Sequence, residues 1–444
     1  MQNIFRQQYH GRNTIPNILI FLLIFINFVP FPPKGPIRFA PENLIYFFVI
    51  LYILFNFKSV LNSKIDFSVI LLFLLFFSLE FSINSFQGEP LRNFFPRIKS
   101  TILIFFIAVF CRNENDFMRM IKFFVLIATF NVLFGLLVFF IGEPFISIRI
   151  WFNEWSGTTI RIGKGSQLAG LYGMPHVFGY ILSAVPILCF TLYINEKKIF
   201  WLFCLLICSV GLLLNAERSA LLMNIIVFLI LILRQRNRIL LFFLFALCTC
   251  FVMIIQHQIV APAQDIVHAD EASYRAGSLT DRLKSTTSGE VFDRVKWSFY
   301  GIKTVLKYPL TGGTEADYAH EVYGDTSYVP TQSQIEDTLA SHNHYVNTGL
   351  KAGILGWIIV ILLLWRIVTL LRMDPSLFTD NQSFVTIIFG VKLALFAALG
   401  NAFFHNNGIM NSDPAASWML AFLMAACSIL HTHQPTIGGH AEYH

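Results

Sequence analysis

Long apolar runs recur from one end of the chain to the other, and each has about the length of a bilayer crossing. A helix needs about 20 apolar residues to traverse the hydrocarbon core, with about 17 to 25 tolerated, and only helices or closed barrels satisfy the backbone there. Twelve runs qualify, at 15–33, 42–57, 67–83, 97–111, 119–142, 168–195, 199–215, 218–233, 239–256, 350–371, 383–404 and 414–431. Those at 97–111, 199–215 and 218–233 are short, and would cross with little tilt or borrow flanking residues. The pattern predicts an all-α polytopic membrane protein of about 12 transmembrane helices. Composition agrees, since 55% of the residues are apolar and 13% charged, where a soluble domain is about 25% charged. The net charge of +6 is ordinary for a protein that retains Lys and Arg on the cytoplasmic side. It calls for no nucleic-acid partner.

With a cytoplasmic N-terminus, the connectors on that side carry more Lys and Arg than those opposite, and the Arg234–Gln235–Arg236–Asn237–Arg238 turn is the strongest anchor. Arg6 and Arg12 precede the first apolar run, with no small-residue cleavage site after it, so that run reads as an uncleaved span. The chain then divides into helices 1–9 over 1–256, a large outward loop over 257–344, helices 10–12 over 345–432 and a cytoplasmic tail over 433–444. A polar loop of that size is ordinarily functional. Inside it Val291, Val295, Phe299, Ile302 and Leu306 recur at helical spacing, and Pro309 with Gly312–Gly313 ends the helix. That helix is expected to lie against the membrane surface or the bundle. No internal repeat supports the inverted halves of many transporters. The seven cysteines lie in or at the ends of apolar runs, and Cys204 with Cys208 reads as packed thiols rather than a metal pair.

Three groups of residues could carry chemistry. The first is Ser341–His342–Asn343–His344–Tyr345, where the long loop meets the tenth span. A histidine there is either a surface residue or one held in position while still reachable, able to take a proton from a hydroxyl nucleophile. Two histidines one apart could also bind a metal, but no zinc-type His/Cys spacing and no Asp-x-Asp occurs. Gly349, Gly353 and Gly356 follow at a spacing that reads as small-xxx-small helix packing, or as room for a lipid chain. The second group is Asn215–Ala216–Glu217–Arg218–Ser219, between two spans. Arg218 either snorkels to the headgroups or aims its bidentate fork at a phosphate. The third is the set of outward basic residues, among them Arg92, Arg97, Lys99, Arg149, Arg161, Lys164 and Arg294. Together they would attract an anionic lipid head or a diphosphate. Lys392, midway through the eleventh span, needs a partner, for which Glu80 is a candidate.

These elements resemble the bacterial O-antigen ligases. His342–Asn343, nine residues, then Gly353–Ile354–Leu355–Gly356 is similar to that family's His-(Asn/Ser/Gln)-x9-Gly-x-x-(Gly/Thr/Tyr) pattern. Glu217–Arg218–Ser219–Ala220–Leu221–Leu222 resembles its arginine turn. Arg294-x-x-Trp297, followed by Tyr308–Pro309–Leu310–Thr311–Gly312, resembles its Arg-x-x-Trp … Pro-Leu-x-Gly element, and Gly173–Met174–Pro175–His176 its Gly-x-x-x-Pro-Asn element. Departures are Glu217 for a small residue, His176 for Asn, and Gly312–Gly313 for Gly-x-Gly. The resemblance implies a GT-C-like membrane glycosyltransferase of the bacterial inner membrane, its large loop and its site facing the periplasm. It implies no cofactor, an undecaprenyl-diphosphate-linked O-antigen donor and a lipid A–core acceptor. His342 would be the catalytic base. Arg218, Arg97, Arg161 and Arg294 would hold the diphosphate in place of a metal, with His344, Asn343 and Gly353 in support. O-antigen polymerases and protein O-oligosaccharyltransferases share this ligase-like region and remain alternatives. A transporter is a more remote one.

Overall fold

The computed structural model describes residues 14–29, 41–87, 94–142, 144–148, 168, 170–171, 175–215, 217–234, 290–323, 341, 343–405, 408–411 and 413–433. The described residues are helical, joined by turns and short connectors. In chain order the helices are α1 (Thr14–Phe28), α2 (Pro41–Phe55), α3 (Phe67–Gln87), α4 (Phe94–Phe110), α5 (Glu114–Phe140), α6 (Pro175–Leu182) and α7 (Val185–Glu196). There follow α8 (Ile199–Asn215), α9 (Arg218–Arg234), α10 (Glu290–Lys307), α11 (Glu315–Tyr323), α12 (His344–Arg372), α13 (Gln382–Asn401) and α14 (Pro414–His433).

Ten of the twelve expected spans appear as single helices within about six residues of their sequence limits, and the sixth appears as two. The run 239–256 lies outside the described residues. Among the described residues six helical stretches are long and apolar enough to cross a membrane, and α1, α2, α8 and α9 are shorter apolar helices. The molecule is therefore a helical multi-pass membrane protein, with the count of twelve not reached by length. Polar residues punctuate the apolar ones. Asn113, Asn343, Asn381 and Asp413 each accept backbone N–H bonds at a helix start, which satisfies donors that the first turn leaves open.

The expected sixth span is two helices. Pro186 lacks the N–H that would bond the Leu182 carbonyl, and the chain breaks at Ser183–Ala184. Asn224 of α9 donates its amide to the carbonyls of Leu182 and Ser183 at 3.2 and 3.1 Å, so the freed acceptors are met inside the membrane region.

The centre of the bundle is α14, 89% of whose spanning window is buried, against 22% for α12. α14 packs on α4 and α13, α7 on α8 and α13, and α12 on α3. On α12, Ile358, Ile361, Leu362 and Trp365 stay exposed, as lipid-facing residues would. Cys204 and Cys208 are buried thiols, with Cys208 Sγ 3.5 Å from Thr129 Oγ1.

Polar contacts gather at the two ends of the bundle. At one end Arg366 meets Asp66 at 2.5 Å, Lys122 and Lys198 pair with Glu196, and Asn381 bonds Glu114 at 2.6 Å. Lys392 reaches this end and donates to the Met373 carbonyl, so its partner is not Glu80. The candidate site lies at the other end.

The helix expected in the long loop is α10. Its Val295, Phe299, Ile302 and Leu306 form an exposed stripe. The opposite face, including Gly301, Thr304 and Val305, is turned toward α12 and α11. α11 begins with a capping pair, Thr314 and Asp317 bonding each other's backbone and side chain. Lys303 and Lys307 then tie Glu321 to α10 at 2.6 and 3.1 Å, and their hydrogen bonds hold its carboxyl below the usual range. The α10–α11 unit therefore stands on α12 and keeps an apolar face outward.

Candidate functional site

The site is built around a break in α12. Helical geometry stops at Ala352 and Gly353, where Gly353 has φ +62°. The Pro309–Gly312 turn, which follows α10, enters the gap, and the Ile354 amide donates to the Pro309 carbonyl at 2.9 Å. A Cβ on Gly353 would stand 2.4 Å from that carbonyl oxygen, and one on Gly312 would stand 2.2 Å from the Leu350 carbonyl oxygen. Only glycine allows this approach and this φ. Trp357 covers Gly349 and donates its indole N–H to the Tyr345 carbonyl at 2.9 Å. Gly349 and Gly353 thus admit a loop and an indole to the break. They do not serve as a small-xxx-small helix contact.

The first turn of α12 is pinned on both sides. Asn343 Oδ1 accepts from the amides of Tyr345 and Val346 at 3.0 and 3.2 Å. Ser341 donates its hydroxyl to Asn347 Oδ1 at 2.7 Å, and its carbonyl accepts from Ser298 of α10 at 3.0 Å. Behind this turn Phe76, Arg97, His344, Asn347, Lys351 and Met410 line a small cavity. Arg97 and Glu80 are both buried and form an ion pair. His344 is buried, and its Nε2 accepts the Met410 amide at 3.3 Å.

A second cluster lies at the same end. Glu217, just before α9, places Oε1 3.0 Å from His405 Nε2, and Ser219 Oγ is 2.7 Å from the same nitrogen. His405 and Met410 belong to one connector, between α13 and α14, so this loop contacts both clusters. Buried polar atoms collect where it ends. Among the described residues, Asp413 Oδ2, Ser417 Oγ and both amide atoms of Asn401 have no hydrogen-bond partner. Buried polar groups of that kind are few in folded proteins and mark strained or ligand-binding places. Burial raises the Asp413 carboxyl to about 7, against the two backbone N–H bonds on its other oxygen.

Residues 203–361 match the family model described as O-antigen ligase. Over this stretch the chain is similar to the O-antigen ligase family. No curated protein matches the chain. The matched region runs from α8 through the break in α12, and so contains the Glu217–Ser219 turn, α10, His344 and Gly353. Arg97 and His405 lie outside it, yet pack against it.

Of the residues expected at an O-antigen ligase site, the structure brings Arg97 and His344 to one cavity and gives Asn343 and Gly353 definite work, as helix cap and helix break. Arg218 is the half-buried first residue of α9, in the turn that His405 touches. Arg294 lies on α10, with its side chain outside what is described. His342 and Arg161 lie outside the described residues. Glu80, considered for Lys392, belongs to Arg97. Among the described residues no group of three or more His, Cys, Asp and Glu is placed to hold a metal. Sequence reasoning missed His405 and Asp413. The available signal was that their short polar connector falls on the same side of the membrane as the His342 motif.

Proposed function

We propose that this protein is an O-antigen ligase, transferring O-antigen polysaccharide from undecaprenyl diphosphate to a sugar hydroxyl of lipid A–core at the periplasmic face of the inner membrane. The observation that carries this reading is the cavity of Arg97, His344 and Lys351 at the break in α12, in a chain whose 203–361 stretch has the family's pattern. Cationic groups at one end of a membrane bundle suit a lipid diphosphate, whose headgroup sits at that depth.

In this reading His342 takes the proton of the acceptor hydroxyl as its oxygen attacks the anomeric carbon. The bond from that carbon to the diphosphate oxygen breaks, the anomeric centre inverts, and undecaprenyl diphosphate leaves. Arg218, with Arg97, Arg161 and Arg294, stabilises the charge gathering on the leaving group. Arg97 enters already paired with Glu80, which fixes its guanidinium as part of the cavity wall. A diphosphate is a good leaving group, so arginines replace a divalent ion.

A deletion strain tests the reading. The expected lipopolysaccharide pattern has no long-chain material on lipid A–core, while lipid-linked polymer accumulates, and the wild-type chain restores transfer in membranes containing EDTA. Survival of single-repeat caps would mark a polymerase instead, and an unchanged pattern with glycoprotein lost would mark a protein O-oligosaccharyltransferase.

A further inference from the structure

Glu217, Arg218 and Ser219 are consecutive, and the outer two meet on one nitrogen, His405 Nε2. The imidazole is buried and packs edge-on to Tyr180, ring centroids 5.1 Å apart. An ionised carboxylate can only accept, so the contact with Glu217 places a proton on Nε2. Any further proton is then taken at Nδ1. Glu217 is the carboxylate nearest Arg218 in sequence, and its negative charge opposes the arrival of an anion at that turn. A neutral imidazole bonds Glu217 without cancelling its charge, whereas an imidazolium does both.

We propose that His405 is a positioning residue for Arg218. It holds Glu217 and, when protonated, neutralises it, so that the Arg218 turn presents net positive charge to the diphosphate of a polyprenyl-linked donor. This inference rests on the diphosphate reading above. Among the described residues His405 meets the carboxylate of Glu217, just before α9, and the ring of Tyr180 from α6, and it acts electrostatically on Asp413 just before α14; Arg218 follows Glu217 in the chain.

The test is binding of undecaprenyl diphosphate to the full-length chain in lipid nanodiscs, between about pH 5.5 and about pH 8.5. Wild type is expected to bind roughly tenfold more weakly at the alkaline end, the effect of one nearby charge in a partly solvated site. His405→Gln keeps an amide donor for Glu217 but cannot be protonated, and is expected to show the weak value throughout. Glu217→Gln removes the opposing charge and is expected to bind at the alkaline end at least as strongly as wild type does at the acid end, and the double variant is expected to show that strong value throughout. The ligand's own ionisation is common to all four proteins. A merely structural clamp predicts weaker binding in both single variants with the wild-type pH slope retained, and that outcome overturns the inference. A wild type with no more slope than the variants does so too. If His405→Gln is not recovered folded, Glu217→Gln decides alone, binding at the alkaline end no stronger than wild type's being the overturning result. Wild-type chain that binds no undecaprenyl diphosphate at any pH overturns instead the diphosphate reading beneath it.

Discussion

The Ile354 amide donates to the Pro309 carbonyl at 2.9 Å, so a residue of the loop completes a helix that has lost its own turn. This contact joins the α10–α11 unit to the tenth expected span at the level of the site. Gly353→Ala would set a Cβ 2.4 Å from the Pro309 oxygen at a φ of +62°. Gly353 pairs that φ with ψ −159°, a region essentially confined to glycine that costs another residue about 1–3 kcal/mol, and overpacking against an atom that cannot swing aside adds about 1–3. The variant is expected to melt well below wild type in detergent and to be nicked faster by protease in the 257–344 loop. Wild-type melting and cleavage would mean that the loop does not dock there.

Arg97 and Glu80 are each almost fully buried and paired. Removing one partner of such a pair strands the other charge, at a cost of about 3–5 kcal/mol, whereas replacing both with apolar residues of similar volume is often neutral. Arg97→Met alone is therefore expected to express poorly or melt early, and Arg97→Met with Glu80→Leu to recover folding. Under the ligase reading the folded double variant transfers little glycan. Full transfer by it would remove Arg97 from the diphosphate site and leave it a structural role.

Much of this architecture was legible in the runs of apolar residues, because in a bilayer the length of a run and the position of polar residues decide where a helix starts and stops. The limits of α8 agree with sequence to the residue, and Asn343, Asn381 and Asp413 stand where caps belong. Gly353 was visible as a motif residue, but its work was not, since glycine spacing alone does not separate a helix contact from a backbone break. The pairing of Glu80 with Arg97 was likewise hidden. Both sit on neighbouring helices at one end, and nothing in a linear chain says that Lys392 turns to the opposite end and to the Met373 carbonyl. His405 escaped because it comes from a connector of ordinary length whose importance arises only when α13 and α14 bring it to Glu217.

The motif offers two histidines, and the described one, His344, has a packing role of its own. His344 is buried against the 408–411 segment, with Gly408 so close that a Cβ there would meet its ring at 2.3 Å. His344→Ala is expected to lower the melting temperature by opening a hole behind the first turn of α12. Asn343→Ala should cost about 1 kcal/mol through the lost cap, with Asn343→Asp restoring it. His342→Ala is expected to lower transfer by about 10²–10⁴-fold, the range for loss of a general base. An active His342→Ala beside a folded but inactive His344→Ala would move the base to His344.

Asp413 gives the fold a pH dependence with a definite sign. It stands immediately before α14, with Oδ1 accepting the amides of Ala415 and Ala416 at 2.8 and 3.1 Å. Burial lifts its carboxyl from the ordinary value near 3.8 to about 7. The folded protein therefore keeps a proton that the unfolded chain gives up, and stability from this group falls as pH rises from about 4 to about 7, then levels off. Asparagine caps a helix as well as aspartate does and cannot ionise. Asp413→Asn is thus expected to come closest to wild type near pH 4 and to exceed its melting temperature near pH 8. Melting curves in one detergent at both pH values would show this, and a difference that does not change with pH would mean that Asp413 is already ionised in the folded protein.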